Sequence, residues 1–298
     1  MLGPLLYLLY VENLGLVGMG GEIYMFADDT VLLYANKDQL KLNNIINNDL
    51  EKFFQWLSYN RLSVNKEKTV YIRFQEKSKK TENLSIQINN TTLKSVSSVK
   101  YLGLTMDHKL TWSQHVNEVV KRLSGLVGAL KHVNKYITND YKKLLYYAQV
   151  HSVLTYLIVI WSSTSKFNLN RIQRLQNRAV KSIYSLPYYT STSDLYQNLP
   201  IIPIKKTFEI ELCKLMYKIE NNLIKCRQQS IKSSHNYETR QADHIHYYKF
   251  RSSRGLNSTL HRGPELFNNL PDVIKQAKNI KVFNSKIKKL YFENCLSL

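Results

Sequence analysis

The spacing of apolar and polar positions separates an early part of short alternating runs from a later part of long helical stripes. Glu22, Ile23, Tyr24, Met25 and Phe26 form one run, and Thr30, Val31, Leu32, Leu33 and Tyr34 a second. Both are rich in the β-branched and aromatic residues that suit strands, and together they predict a hairpin turning at residues 27–30. Upstream, residues 1–14 are apolar nearly all round, with Pro4 where a first helical turn tolerates a missing N–H. That predicts a buried helix, joined to the hairpin by the glycine-containing loop 15–21. Downstream, Leu42, Ile45, Ile46, Leu50, Phe53, Phe54 and Leu57 recur at helical spacing and predict an amphipathic helix over one face of a sheet. Residues 70–74 read as a strand, Leu84, Ile86 and Ile88 as short alternating pieces, and 98–107 as a further strand.

From Ser113 the period becomes helical. Val116, Val119, Val120, Leu123, Val127 and Leu130 make one stripe; a second helix is predicted over 140–157 and a third over 169–186. In the third, Ile172, Leu175, Ala179 and Ile183 form the apolar seam. Pro187, Pro200 and Pro203 punctuate the next stretch, and 207–219 predicts one more helix. Residues 224–236 are polar and read as a linker, followed by a compact tail. The fold class expected is α+β.

Charge adds a partner. Lys and Arg number 42 against 22 Asp and Glu, a formal net charge of +20. An imbalance of that size, interleaved with aromatics, points to a polyanion, with nucleic acid ahead of a membrane surface. At 44% hydrophobic and 21% charged residues the chain is globular rather than disordered. Cys213, Cys226 and Cys295 are too few and too scattered for a disulfide framework or a zinc site, so reduced thiols in an intracellular protein are expected. The apolar stretches at 2–11 and 153–161 are too short to cross a membrane, and the first lacks a basic flank. Secretion is not expected; nucleus or cytoplasm stays open.

Several residues carry candidate chemistry. Asp28 and Asp29, paired in a hairpin turn among apolar residues, can bind a divalent cation, since magnesium takes oxygen ligands of this kind; adjacent acids in a turn also occur with no role. Arg171, Arg174, Arg178 and Lys181 repeat at the spacing of the apolar seam beside them. Such a row either tracks a phosphate backbone or is a solvated face. Tyr247, Tyr248, Phe250, Arg251 and Arg254 mix aromatic and basic groups, which suits base stacking with phosphate contacts or a hairpin with one packed face.

The order of motifs resembles one family. Phe26-Ala27-Asp28-Asp29 between two strands looks like the Tyr/Phe-Ala-Asp-Asp box of reverse transcriptases, most of all those of non-LTR retrotransposons of the LINE or jockey type. Leu62, Asn65, Lys68 and Thr69 match that family's Leu-x-x-Asn-x-x-Lys-Thr pattern, and Tyr101-Leu102-Gly103 its Tyr-Leu-Gly strand, with Trp112 and His115 following at the family's spacing. Tyr237 to Arg240, the run Gly263 to Pro271, and Val282-Phe283 are similar to the tail of jockey-like elements, which usually have Trp where Phe267 stands. The resemblance implies that Asp28 and Asp29 bind the catalytic magnesium ions in a polymerase palm. It also implies that Gly103 lies in the primer grip near the primer end, and that the helices from Ser113 begin the thumb. Lys68 either screens triphosphate charge or protonates the leaving pyrophosphate, or is an exposed loop cation; His115 reads as a packing residue.

The resemblance further implies a division into the second half of a palm (1–110), a helical thumb and connection (111–223), and a basic C-terminal region (224–298). RNA template, DNA primer or target, and deoxynucleotides are the implied partners. The family's earlier carboxylate-bearing palm strand and its fingers have no counterpart in this sequence. The expectation is therefore a truncated RNA-directed DNA polymerase, inactive alone, with an incomplete magnesium site and an unpaired palm edge that invites self-association. The alternative is a non-catalytic nucleic-acid-binding protein derived from a mobile element.

Overall fold

A computed structural model describes residues 2–74, 84–88, 91–191, 195, 196, 199, 201–224, 245 and 250–296. The motif at Tyr237 to Arg240, Tyr247, Tyr248, Pro200, Cys226 and nearly all of the expected linker lie outside the described residues. The fold is mixed α and β, with small two-stranded sheets and long helices. It divides into two units, Met1–Val99 and Lys100–Leu298.

In the first unit, α1 (Gly3–Val11) carries Pro4 in its first turn, as its sequence predicts. It is not buried: Leu5, Leu6, Leu8 and Leu9 are all exposed, Leu5 at 56%, and only Val11 at its end is covered. The all-round apolar surface correctly predicts a helix, but among the described residues it is covered only at its end, at Val11, with Tyr10 donating to the Asn60 carbonyl. The strands β1 (Glu22–Phe26) and β2 (Asp29–Leu33) form the expected hairpin, tighter than predicted: Phe26 pairs with Asp29, leaving a two-residue turn. Helix α2 (Gln39–Tyr59) starts on Asp38, whose carboxylate accepts from the amides of Leu40 and Lys41. Its stripe packs with Leu84, Ile86 and Ile88 in a small core that Leu32 joins from the hairpin. The strand expected over 70–74 shrinks to β3 (Val70–Tyr71), paired in parallel with β6 (Lys94–Ser95), while β4 (Gln87–Ile88) pairs antiparallel with β5 (Thr91–Thr92).

Where a single strand is expected over 98–107, the structure has two. β7 (Ser98–Tyr101) and β8 (Leu104–Asp107) form a hairpin, and Leu102 and Gly103 turn it with positive φ of 45° and 78°. Two left-handed residues make the turn whose twist matches that of antiparallel strands. Helix α3 (Ser113–Val133) buries the stripe read from sequence, and α7 (Lys166–Ile183) buries its seam against α3. The helix expected over 140–157 is broken into α4 (Asn139–Leu145), a π turn (Tyr146–His151), α5 (Ser152–Thr155) and, past a left-handed Leu157, α6 (Ile158–Trp161). These pieces converge on the same core, where Trp161 is fully buried.

Helix α8 (Ile204–Glu220) joins that core to a second one made with the tail, α9 (Ser253–Leu256), α10 (Thr259–Asn268), α11 (Asp272–Lys275) and α12 (Ile280–Leu296). Phe283 stacks on Tyr217 at 4.3 Å between ring centres and lies near Phe267, so these two aromatics of the tail motifs are core residues. Cys213 is buried there, and burial pushes its thiol up to about 12. Helices α2, α7 and α8 each end on a left-handed residue, Arg61, Ser185 and Asn222, followed by an amide that bonds back five residues. Glycine is the usual occupant of that position. Among the described residues no helix is long and apolar enough to cross a membrane.

Candidate active site and nucleic-acid interface

The hairpin tip is open to solvent. Alternation places Phe26, Asp29 and Tyr24 on one face of the ribbon and Met25, Thr30 and Leu32 on the other. Leu32 joins the α2 core, which leaves Asp29 on the outer face beside Phe26, 62% exposed. Asp28 occupies the turn itself, after Ala27 at φ 51°. Both acids are exposed and, among the described residues, neither makes a salt bridge.

What fixes the hairpin is an acid that motif and spacing do not single out. Asp49 of α2 is 2% exposed. Its carboxylate accepts from the amide of Gly21, the residue before β1, at 3.0 Å. Tyr34, the residue after β2, lies against the same carboxylate. Burial and the Asp49 charge raise the phenol's pKa, and the buried hydroxyl makes no well-formed hydrogen bond. Lys52 approaches Asp49 at 4.0 Å but mainly caps Gly18 through its carbonyl. Both arms of the hairpin thus meet one side chain. One signal does exist: Asp49 stands on the apolar face between Ile46 and Phe53, where an acid is out of pattern.

Lys68 is exposed on a helical turn organised by Asn65, whose side chain accepts from the amides of Glu67 and Lys68. Among the described residues Lys68 makes no ion pair with either hairpin acid. Asp28 and Asp29 offer oxygen donors that suit magnesium. No cluster of three or more His, Cys, Asp or Glu that could hold a metal occurs among the described residues.

In the second unit the row on α7 separates by role. Arg171 is half-buried and engaged: its guanidinium donates to Asn117 at 2.8 Å and to Asn168, and it lies over the Phe167 ring. Arg174 and Arg178 are exposed and, among the described residues, form no ion pair. Lys181 donates to the carbonyl of Tyr188 and sits over its ring. Gly103 lies beneath Tyr156, whose hydroxyl donates to the Leu102 carbonyl at 2.8 Å; an added Cβ would meet the ring at 3.2 Å. The turn and the ring both explain this glycine without a ligand. Arg251 is exposed in a bend after Phe250; Arg254 lies in α9 and its side chain is outside the described residues.

His115 is a packing residue, as expected. It is buried against Trp161 and near the Thr105 amide, and burial lowers its pKa. Its neighbour Asp107 is the second acid that no motif marks. It accepts from the amides of Lys109, Thr111 and Trp112, and from the Thr111 hydroxyl. Gln176 is a further buried polar residue: it donates to Tyr146 and the Ile202 carbonyl and accepts from the Ile204 amide, tying α7 to the start of α8.

Residues 1–106 match the reverse transcriptase (RNA-dependent DNA polymerase) family. A probable RNA-directed DNA polymerase from transposon BS of Drosophila melanogaster is 28% identical over 69% of this chain and 24% of its own length. The RNA-directed DNA polymerase from mobile element jockey of the same species is 26% identical over 67% of the chain and 23% of its length. A retrovirus-related Pol polyprotein from a type-1 R1 retrotransposable element of Nasonia vitripennis is 28% identical over 44% of the chain. The chain spans about a quarter of the length of the first two relatives. No solved structure matches it significantly.

Proposed function

Because this chain is a relative of the reverse transcriptases of jockey-like non-LTR retrotransposons, we propose that it engages an RNA template and a DNA strand. The hairpin supplies palm acids, and the helices from Ser113 act as a thumb. One observation carries the reading: a hairpin presents two free carboxylates at an open tip and is anchored at both ends by Asp49. Asp28 and Asp29 are the ligands by which a divalent ion would be held in the family's reaction. Lys68 is exposed and able to face a triphosphate.

A polypeptide of these 298 residues is expected to bind a primed RNA template yet add no deoxynucleotide with magnesium or manganese, because two adjacent acids do not fix two ions. Primer extension with the purified chain tests this; template-dependent incorporation that vanishes in Asp28→Ala would overturn it. A second reading, a nucleic-acid-binding protein without catalysis, is favoured by the exposed Arg174 and Arg178. Manganese titration followed by electron paramagnetic resonance separates the two readings. Binding that is lost on replacing Asp28 and Asp29 supports the first; no change supports the second.

Self-association belongs to the same proposal. Among the described residues the ribbon β1–β2 pairs with no further strand, and the leucines of α1 are exposed nearby in sequence. Edges and apolar patches both drive association. Dimers or larger species are expected at micromolar concentration, reduced by Leu5→Glu with Leu9→Glu. A monomer by light scattering across that range would count against it.

A further inference from the structure

Helices α3 and α7 run parallel: Asn117 meets Arg171 near their starts and Asn134 meets Ser185 at their ends. Between those ends lies a cavity of about 240 Å³, lined among others by Lys131, Asn134, Arg178, Lys181, Ser185 and Tyr188. No acid lines it. The bland account is that Lys131 and Lys181, in the last turns of their helices, offset the helix dipoles. Each dipole amounts to about half a negative charge. Two helix ends therefore account for about one positive charge, whereas Lys131, Arg178 and Lys181 bring three. Two positive charges remain over a concave surface, and neither Lys131 nor Arg178 has an ion pair among the described residues.

Size and surroundings narrow the ligand. The volume corresponds to about eight waters at roughly 30 Å³ each, below the roughly 300 Å³ where small-molecule pockets begin. It has room for a phosphodiester and is open to solvent on one side. Directly beside it Tyr188 is 79% exposed, its backbone held by Lys181. A ring set out in solvent next to a cationic hollow is the arrangement that grips an unpaired strand by phosphate and base face together. Paired bases have no free face to offer it.

We infer that this basin binds one phosphodiester of an unpaired nucleic-acid strand and that an adjacent base stacks on Tyr188. The inference rests on the nucleic-acid reading above and specifies which strand form this end of α7 holds. Ser185 contributes its hydroxyl from a left-handed position at φ 52°. A left-handed cap alone does not mark a ligand site, since α2 ends on Arg61 in the same way. It does make Ser185→Gly a useful probe: glycine relaxes the backbone while removing the hydroxymethyl group and with it the contact from Asn134.

The test measures affinity for a six-nucleotide oligouridylate, its deoxythymidylate counterpart and a long perfect duplex at several salt concentrations. Tyr188→Ala is expected to weaken both single strands roughly five- to 150-fold, the factor for removal of one base stack, and to leave the duplex unchanged. Lys131→Ala with Arg178→Ala should flatten the single-strand log–log salt slope by about 0.7, the contribution of the one phosphate no longer neutralised. Ser185→Gly should weaken single-strand binding while its melting temperature rises or holds. Equal losses on RNA and DNA mean that the phosphodiester is the ligand; loss on one alone assigns the site to that strand. Folding is checked by circular dichroism. Wild-type nucleic-acid binding that none of these variants alters overturns the basin and leaves the broader reading standing; a wild type that binds no probe removes both.

Discussion

Asp107→Ala is expected to lower the stability of the second unit by about 3–5 kcal/mol, because one buried carboxylate serves three backbone donors and a hydroxyl. Hydrogen bonds to a charged acceptor contribute about 1.5–3 kcal/mol each, and water regains part of that at the exposed Lys109 and the half-exposed Thr111. The same carboxylate holds Leu110 and Trp112 at φ 50° and 61°, a region that disfavours residues with a Cβ by about 1–2 kcal/mol. Without it, the bonds from Thr164 to the Thr111 carbonyl and from Trp112 to Ser163 are left to oppose that strain at the entry to α3. The pH dependence has a definite sign. Burial alone would raise the acid's pKa, but its four hydrogen bonds outweigh burial and hold it below the ordinary range. Its contribution is therefore complete above pH about 4 and is withdrawn as pH falls further. His115 and His151, lowered by burial, lose stability earlier, below pH about 6.5. Asp107→Asn should remove the lower limb and keep the upper one. Urea melts between pH 2.5 and 8 read this out; an unchanged lower limb in Asp107→Asn would reject the assignment.

Gly21→Ala is expected to unseat the hairpin that carries Asp28 and Asp29. The added Cβ would sit 2.2 Å from one carbon of the Tyr34 ring and 2.6 Å from two more. The ring is confined between that glycine and Asp49, so it cannot simply swing aside. Overpacking of this kind costs about 1–3 kcal/mol, occasionally more, and the upper end applies here. Hydrogen exchange across residues 22–33 should accelerate with it. Removing the ring should remove the penalty, so Gly21→Ala in a Tyr34→Ala background should be close to neutral, giving a coupling of about 2–3 kcal/mol. Additive effects would show that Tyr34 and Gly21 do not share the space the structure gives them.

The two acids behind these predictions mark where the sequence is legible and where it is not. Helices α2, α3, α7 and α8 and the first hairpin follow from periodicity alone, because an amphipathic stripe of four or more turns is hard to mistake. The helix predicted over 140–157 is interrupted because a π turn resets the period in its middle and a left-handed Leu157 stands at its end, and no residue there announces either. Helix α1 is legible as a helix but not as an exposed one: composition sets what a surface would prefer to touch, not whether anything is there. At the site, Asp28 and Asp29 are visible because their flanks form strands. Asp49 and Asp107 act through backbone amides, whose identity is blank in a sequence. The row on α7 looks uniform in sequence, yet Asn117 on a different helix decides that Arg171 is taken.

The glycine-free ends of α2 and α7 have a consequence for how much change this chain can absorb. Arg61 and Ser185 hold a conformation that glycine would adopt at about 1 kcal/mol less, whereas the asparagine ending α8 is nearly at home there. That unclaimed stability is of the size by which an ordinary single substitution damages a protein. A lineage that acquired glycine at either position could carry one more harmful replacement elsewhere and still fold. By the same measure, the present sequence sits closer to its folding threshold than its long helices suggest.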